Sequence, residues 1–249
     1  PGRAAERHRR RSDDQLGRQL STPSTRRHDG VESPPPVHER SVLHVPGARL
    51  AANPVAGVGR AGQGGAMTAA PPPGMWAAPV DDPRENGVVP RGEPAVVLDY
   101  LRRYRLTLEL KCTGLDAEQL ARRSVPPSTL SLLGLLRHMA RVEHRWFRAV
   151  LQEQDLPRLY WTEDDHDLDF NGAVADDDVV QDAWDSWRRE VAHAETFTAT
   201  SLGDWSRTVR VHGGDYEVRD IVVHMVEEYA RHCGHADLLR ECIDGRTGQ

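Results

Sequence analysis

Lysine is almost missing from this sequence: Lys111 is the single one among 32 basic residues, and arginine supplies the rest. Guanidinium and ammonium groups are not interchangeable, but no recognition task demands arginine at every basic position. We read the bias as codon usage in a GC-rich genome. Cysteine is scarce as well. Cys112, Cys233 and Cys242 are widely spaced, which excludes a disulfide framework and a CxxC pair and points to a reducing cytosol. No apolar run approaches the roughly 18–20 residues that cross a bilayer. The first residues carry charge without the apolar stretch of a secretory signal. The expectation is a cytoplasmic protein with no membrane partner.

Residues 1–91 also lack helical or strand periodicity. They contain RHRRR (7–11), SPPP (33–36), GVGRAGQGG (57–65) and APPPG (70–74). So little apolar surface cannot offset the entropy of ordering, so a disordered Pro/Gly/Arg-rich extension is expected, with initiation at Met67 or Met75 as the alternative. The basic run has no accompanying aromatics and no folded module to position it. The formal net charge of −6 gives no basic footprint either, so nucleic acid is not an expected partner.

From about Glu93 the texture changes. PAVVLDYLRRYRLTLELKCTGL (94–115) has apolar residues at helical spacing and ends near Gly114. LDAEQLARRSVPPS (115–128) reads as a short turn closed by Pro126 and Pro127. Ser128 or Thr129 then caps a long second helix running to about residue 153. Residues 154–178 form an acidic loop, read as solvated, without the Gly and Glu positions of an EF-hand. A third helix spans 179–197. A weakly alternating stretch, 205–216, turns at Gly213 and Gly214. The last helix, 217–243, stops before Gly245, a natural C-cap. Four amphipathic helices predict an all-α four-helix bundle over 92–245.

Two helical faces carry chemistry. At about 100° per residue, the apolar arc of the last helix holds Val218, Ile221, Val222, Met225, Tyr229, Ala236 and Leu239. His232 falls inside it and Glu228 on its edge. His224 and His235 lie slightly further out, and Asp220, Glu227 and Arg231 point away. On the second helix His138 sits on the apolar rim beside Val142, whereas Arg137 and His144 point outward. Glu143 falls inside the arc with no evident partner. A carboxylate near a core is costly unless paired or metal-bound. His138 with the i, i+4 pair Glu228 and His232 would form a three-ligand site with open positions, as in catalytic zinc centres. Zn²⁺ is the first expectation, with Ni²⁺, Fe²⁺ or Mn²⁺ also suited. The alternatives are a hydrogen-bonded core histidine and a surface Glu–His salt bridge.

The segments SVPPSTLSLLGLLRHMARVEHRWF (124–147) and VVHMVEEYARHCGHADLLREC (222–242) resemble the DinB-like superfamily. Within it they look similar to the actinobacterial branch related to mycothiol-dependent maleylpyruvate isomerase. The resemblance covers about residues 92–245. It implies a bundle holding a divalent metal through a mid-helix His and two residues four apart on the last helix, here His138, Glu228 and His232. It also implies that His235, where other members often carry Gln, lies beside the ligands or faces substrate, making it the candidate catalytic residue. Relatives use a low-molecular-weight thiol, mycothiol or bacillithiol. The expected function is therefore a metal-dependent thiol S-transferase or detoxification and stress protein acting on a small-molecule electrophile, as a monomer or homodimer. The alternative is a non-catalytic helical dimerisation module, metal-stabilised or metal-free.

Overall fold

A computed structural model describes residues 76–77, 82–85 and 87–248, all inside one compact unit, Ala69–Gln249. Most of the expected extension lies outside the described residues. Its described pieces pack on the bundle. Trp76 and Asp82 are buried, Trp76 beneath Lys111 and Arg246 stacked at 4.0 and 3.8 Å from its ring centroid. Arg84 pairs with Asp82 and Arg102 donates to Arg84 O. Cation–π contacts and ion pairs hold this stretch where apolar area is short.

Four long helices make the bundle: α1 (Glu93–Cys112), α3 (Leu132–Glu143, continuing as a wider π-helical turn His144–Val150), α5 (Asp177–Thr200) and α6 (Val218–Asp244). Short helices α2 (Ala117–Ala121) and α4 (Leu168–Asn171) lie in the connections. The all-α four-helix expectation holds. Helix α1 packs mainly along α6, and α3 along α5. The expected extended excursion is a hairpin, β1 (Thr208–Val211) with β2 (Gly214–Glu217). Its turn falls on His212 and Gly213, both at positive φ, one residue earlier than expected. Positive φ at both centres matches the right-handed strand twist. Among the described residues, no helix is long and apolar enough to cross a membrane.

Caps follow local chemistry. Ser131, three residues past Ser128, caps α3: its Oγ accepts from Gly134 N at 3.1 Å. Ser128 Oγ instead accepts from Leu130 N within the preceding loop. Asp176 caps α5 through Asp178 N and Val179 N. Gly245, at φ 75°, ends α6 in the left-handed conformation, as glycine readily does.

The long helices meet in one buried polar chain, with one residue from each. Arg105 (α1) grips both oxygens of Glu143 (α3) at 2.8 Å. Tyr229 (α6) donates to Glu143 Oε1 at 2.7 Å, and Trp187 (α5) donates to Tyr229 Oη at 3.0 Å. This supplies the partner that sequence reasoning lacked for Glu143. Arg137 and His144, expected to face solvent, are instead buried. The long loop covers that side of α3: Arg137 donates to Asp169 O and Leu168 O, and His144 Nε2 to Pro157 O.

Candidate metal centre

Where α3 faces α6, the structure brings together the three residues the helical faces singled out. One donor atom each from His138, Glu228 and His232 lies within 4.8 Å of the others. The i, i+4 spacing stacks Glu228 and His232 on one side of α6, with Glu228 Oε2 3.4 Å from His232 Nε2. The rings of His138 and His232 meet edge to face at 4.8 Å. Glu228 is 4% exposed and His232 8%, while the His138 side chain retains 19%. The site is therefore buried on its α6 side and open at its His138 rim.

Each of the three residues has its own outer partner. His138 Nδ1 donates to Asp169 Oδ2 at 2.9 Å. Glu228 Oε1 lies 3.5 Å from His224 Nε2. His232 Nδ1 lies 3.3 Å from His235 Nδ1. His224, placed further out by the helical projection, is 2% exposed, packed edge-on to Trp146, and neither ring nitrogen makes a hydrogen bond. His235 is half-buried. Arg231 turns outward, as expected, to pair with Glu227.

Asp169 is the site residue that sequence reasoning missed. The acidic loop is not simply solvated, because Asp169 is 1% exposed. No periodicity marks it, and its acidic neighbours hide it.

The electrostatics suit a cation. Burial alone would raise the Glu228 pKa, but the His232 hydrogen bond and the imidazoles of His224, His232 and His138 outweigh it, and the carboxyl titrates below its usual value. Burial lowers the His232 pKa, against the pull of Glu228, favouring neutral imidazole. Metal ligation needs these protonation states. Among the described residues, the other buried glutamates have guanidinium partners: Glu143 has Arg105, and Glu190 has Arg148 and Arg189. Glu228 is faced by imidazoles instead. A buried carboxylate among imidazole donors fits a divalent ion of borderline softness.

No curated protein sequence matches the chain. Among solved structures it is similar to a conserved protein from Enterococcus faecalis, 15% identical, with a TM-score of 0.48 over 61% of this chain and 96% of that one. The model of the family described as mycothiol-S-transferase matches residues 96–245, more than half the chain and every residue of the His138, Glu228 and His232 cluster. With its DinB-like all-α bundle, this chain belongs to the mycothiol-S-transferase family.

Proposed function

We propose that the chain is a divalent-metal-dependent transferase that joins a low-molecular-weight thiol of the mycothiol type to a small-molecule electrophile. One observation carries the metal reading most: a buried carboxylate, Glu228, converges with His138 and His232 within 4.8 Å and has no guanidinium partner among the described residues. Family membership supports the thiol.

In this reading His138, Glu228 and His232 hold the ion, Zn²⁺ first and Ni²⁺, Fe²⁺ or Mn²⁺ otherwise. The ion, when bound, supplies a Lewis-acidic open position that favours a thiol sulfur as thiolate. The chain's own residues do the rest. Burial of Glu228 and His232 keeps bulk water from the α6 side and strengthens local electrostatics. His138, half-buried and the least buried of the three, marks the side from which substrates would approach. The thiol proton passes to bulk solvent, and His235, half-buried beside His232, is assigned to guide the substrate. Sulfur then attacks the electrophilic centre, forming the new bond to sulfur as the leaving group departs with its electron pair. We assign the protein to the cytoplasm, where its free cysteines stay reduced.

The test is metal analysis with calorimetric titration of mycothiol. Protein purified without chelator should carry about one metal per chain, as three protein ligands imply. His138→Ala and His232→Ala should abolish it, and mycothiol should bind the loaded chain alone. Absence of metal from the intact chain ends this reading. Collapse of the fold on chelation would instead favour a metal-stabilised structural module.

A further inference from the structure

The loop between α3 and α5 is clamped to α3 where it meets the candidate centre. Arg137 Nε donates to Asp169 O at 3.0 Å and its Nη2 to Leu168 O at 3.1 Å. Arg141 Nη1 donates to His166 O at 2.8 Å and to Asp169 Oδ2 at 3.1 Å. His138 Nδ1 shares that same carboxylate oxygen at 2.9 Å. Phe170, the next residue, stacks on the His138 ring with centroids 5.1 Å apart and planes 27° apart. Gly134, one turn before His138, makes room for it, since a Cβ there would stand 2.9 Å from Phe170 Cδ1.

We propose that Asp169 is the positioning residue of this centre, fixing which nitrogen of His138 is the ligand and where it points. The inference rests on the metal reading above. A carboxylate can only accept, so the His138 nitrogen facing it must carry the proton. The lone pair of the neutral ring is then on Nε2. Phe170 limits rotation of the ring, and Arg141 compensates the Asp169 charge, which would be costly if buried alone. A carboxylate behind a ligating histidine also raises its basicity. Among the described residues, the other two cluster residues have imidazoles behind them, His224 behind Glu228 and His235 behind His232. An imidazole accepts or donates according to its tautomer and does not commit its partner. Asp169 alone among these partners enforces one arrangement, and it comes from the loop rather than from a ligand helix.

The experiment measures zinc affinity of the full chain by competition with a chromophoric chelator, for the unaltered protein, Asp169→Asn and His138→Ala. Metal-free melting temperatures are recorded alongside. Asp169→Asn should bind zinc about 10–100-fold more weakly, and His138→Ala should not bind measurably. A purely structural role would lower the melting temperature and leave zinc affinity of the folded variant unchanged, which would overturn the inference while the metal reading stands. Failure of the unaltered chain to bind zinc overturns the metal reading itself. Should Asp169→Asn not fold, nitrogen-15 spectra of the unaltered metal-free chain decide: a proton on His138 Nδ1 supports the inference, and one on Nε2 overturns it.

Discussion

Tyr229 Oη donates a 2.7 Å hydrogen bond to Glu143 Oε1, tying α6 to α3 one residue past Glu228. The two helices that bear the candidate ligands are thus registered against each other by a bond the ligands do not make. Burial and the adjacent Glu143 charge hold the Tyr229 pKa well above its usual value, so the phenol stays protonated and donating. Tyr229→Phe removes this donor and strands Trp187 Nε1, which donates to the same oxygen. Denaturant unfolding should show a loss of about 1–3 kcal/mol. Arg105→Met leaves the Glu143 charge without its guanidinium and should cost more, about 3–5 kcal/mol.

Acid stability should depend on Glu190. Burial would raise its pKa, but the His144 imidazole 3.4 Å away and hydrogen bonds from Arg148 and Arg189 prevail and hold it at about 2, against 4.5. Between those values the unfolded chain binds more protons than the folded one. Stability from this group is therefore complete above 4.5 and disappears as pH falls toward 2, a contribution on the order of 3 kcal/mol at neutral pH. Glu190→Gln should flatten the unfolding free energy across that window, measured by urea melts at stepped pH.

Gly172 is where the loop clamp is tightest. A Cβ there would stand 2.8 Å from both Leu168 O and Arg137 Nη2, and the carbonyl cannot rotate aside. Gly172→Ala should cost about 1–3 kcal/mol by overpacking. It should also weaken zinc binding, because Arg137 holds Leu168 and Asp169 in place. Thermal melts and zinc competition on one preparation check both effects.

Thiol reactivity should separate the three cysteines. Burial pushes Cys112 and Cys233 up to about 12, so neither forms appreciable thiolate at neutral pH. Cys242 is exposed. Iodoacetamide should label Cys242 alone in the folded protein and all three after denaturation, as read by mass spectrometry. Labelling of Cys112 or Cys233 in the native state would contradict their burial.

Much of the helical frame was legible because it is written locally. Apolar residues at 3.6-residue spacing, Gly245 beyond the last helix and a polar loop between helices two and three need no tertiary information. Convergence of Glu228 and His232 was legible for the same reason, since residues four apart share a helical face in any fold. His138 needed one more step, that its rim should turn toward α6. The cap of α3, expected at Ser128 or Thr129, falls two or three residues later because Ser128, Thr129 and Ser131 are equally suited chemically. Only the path of the chain after Pro127 selects Ser131.

Sequence alone determined the secondary structure of the bundle and the faces on which His138, Glu228 and His232 lie, since both depend on dihedral preferences and spacing within one segment. Tertiary structure decided the partners. Arg105 reaches Glu143 across 38 residues of chain, and Asp169 reaches His138 across 31. Arg137 and His144 are buried because a loop without periodicity folds over their side of α3. Such pairings follow from the rotation and approach of separate elements, and hydrophobic periodicity, which records only what faces the core, does not encode them.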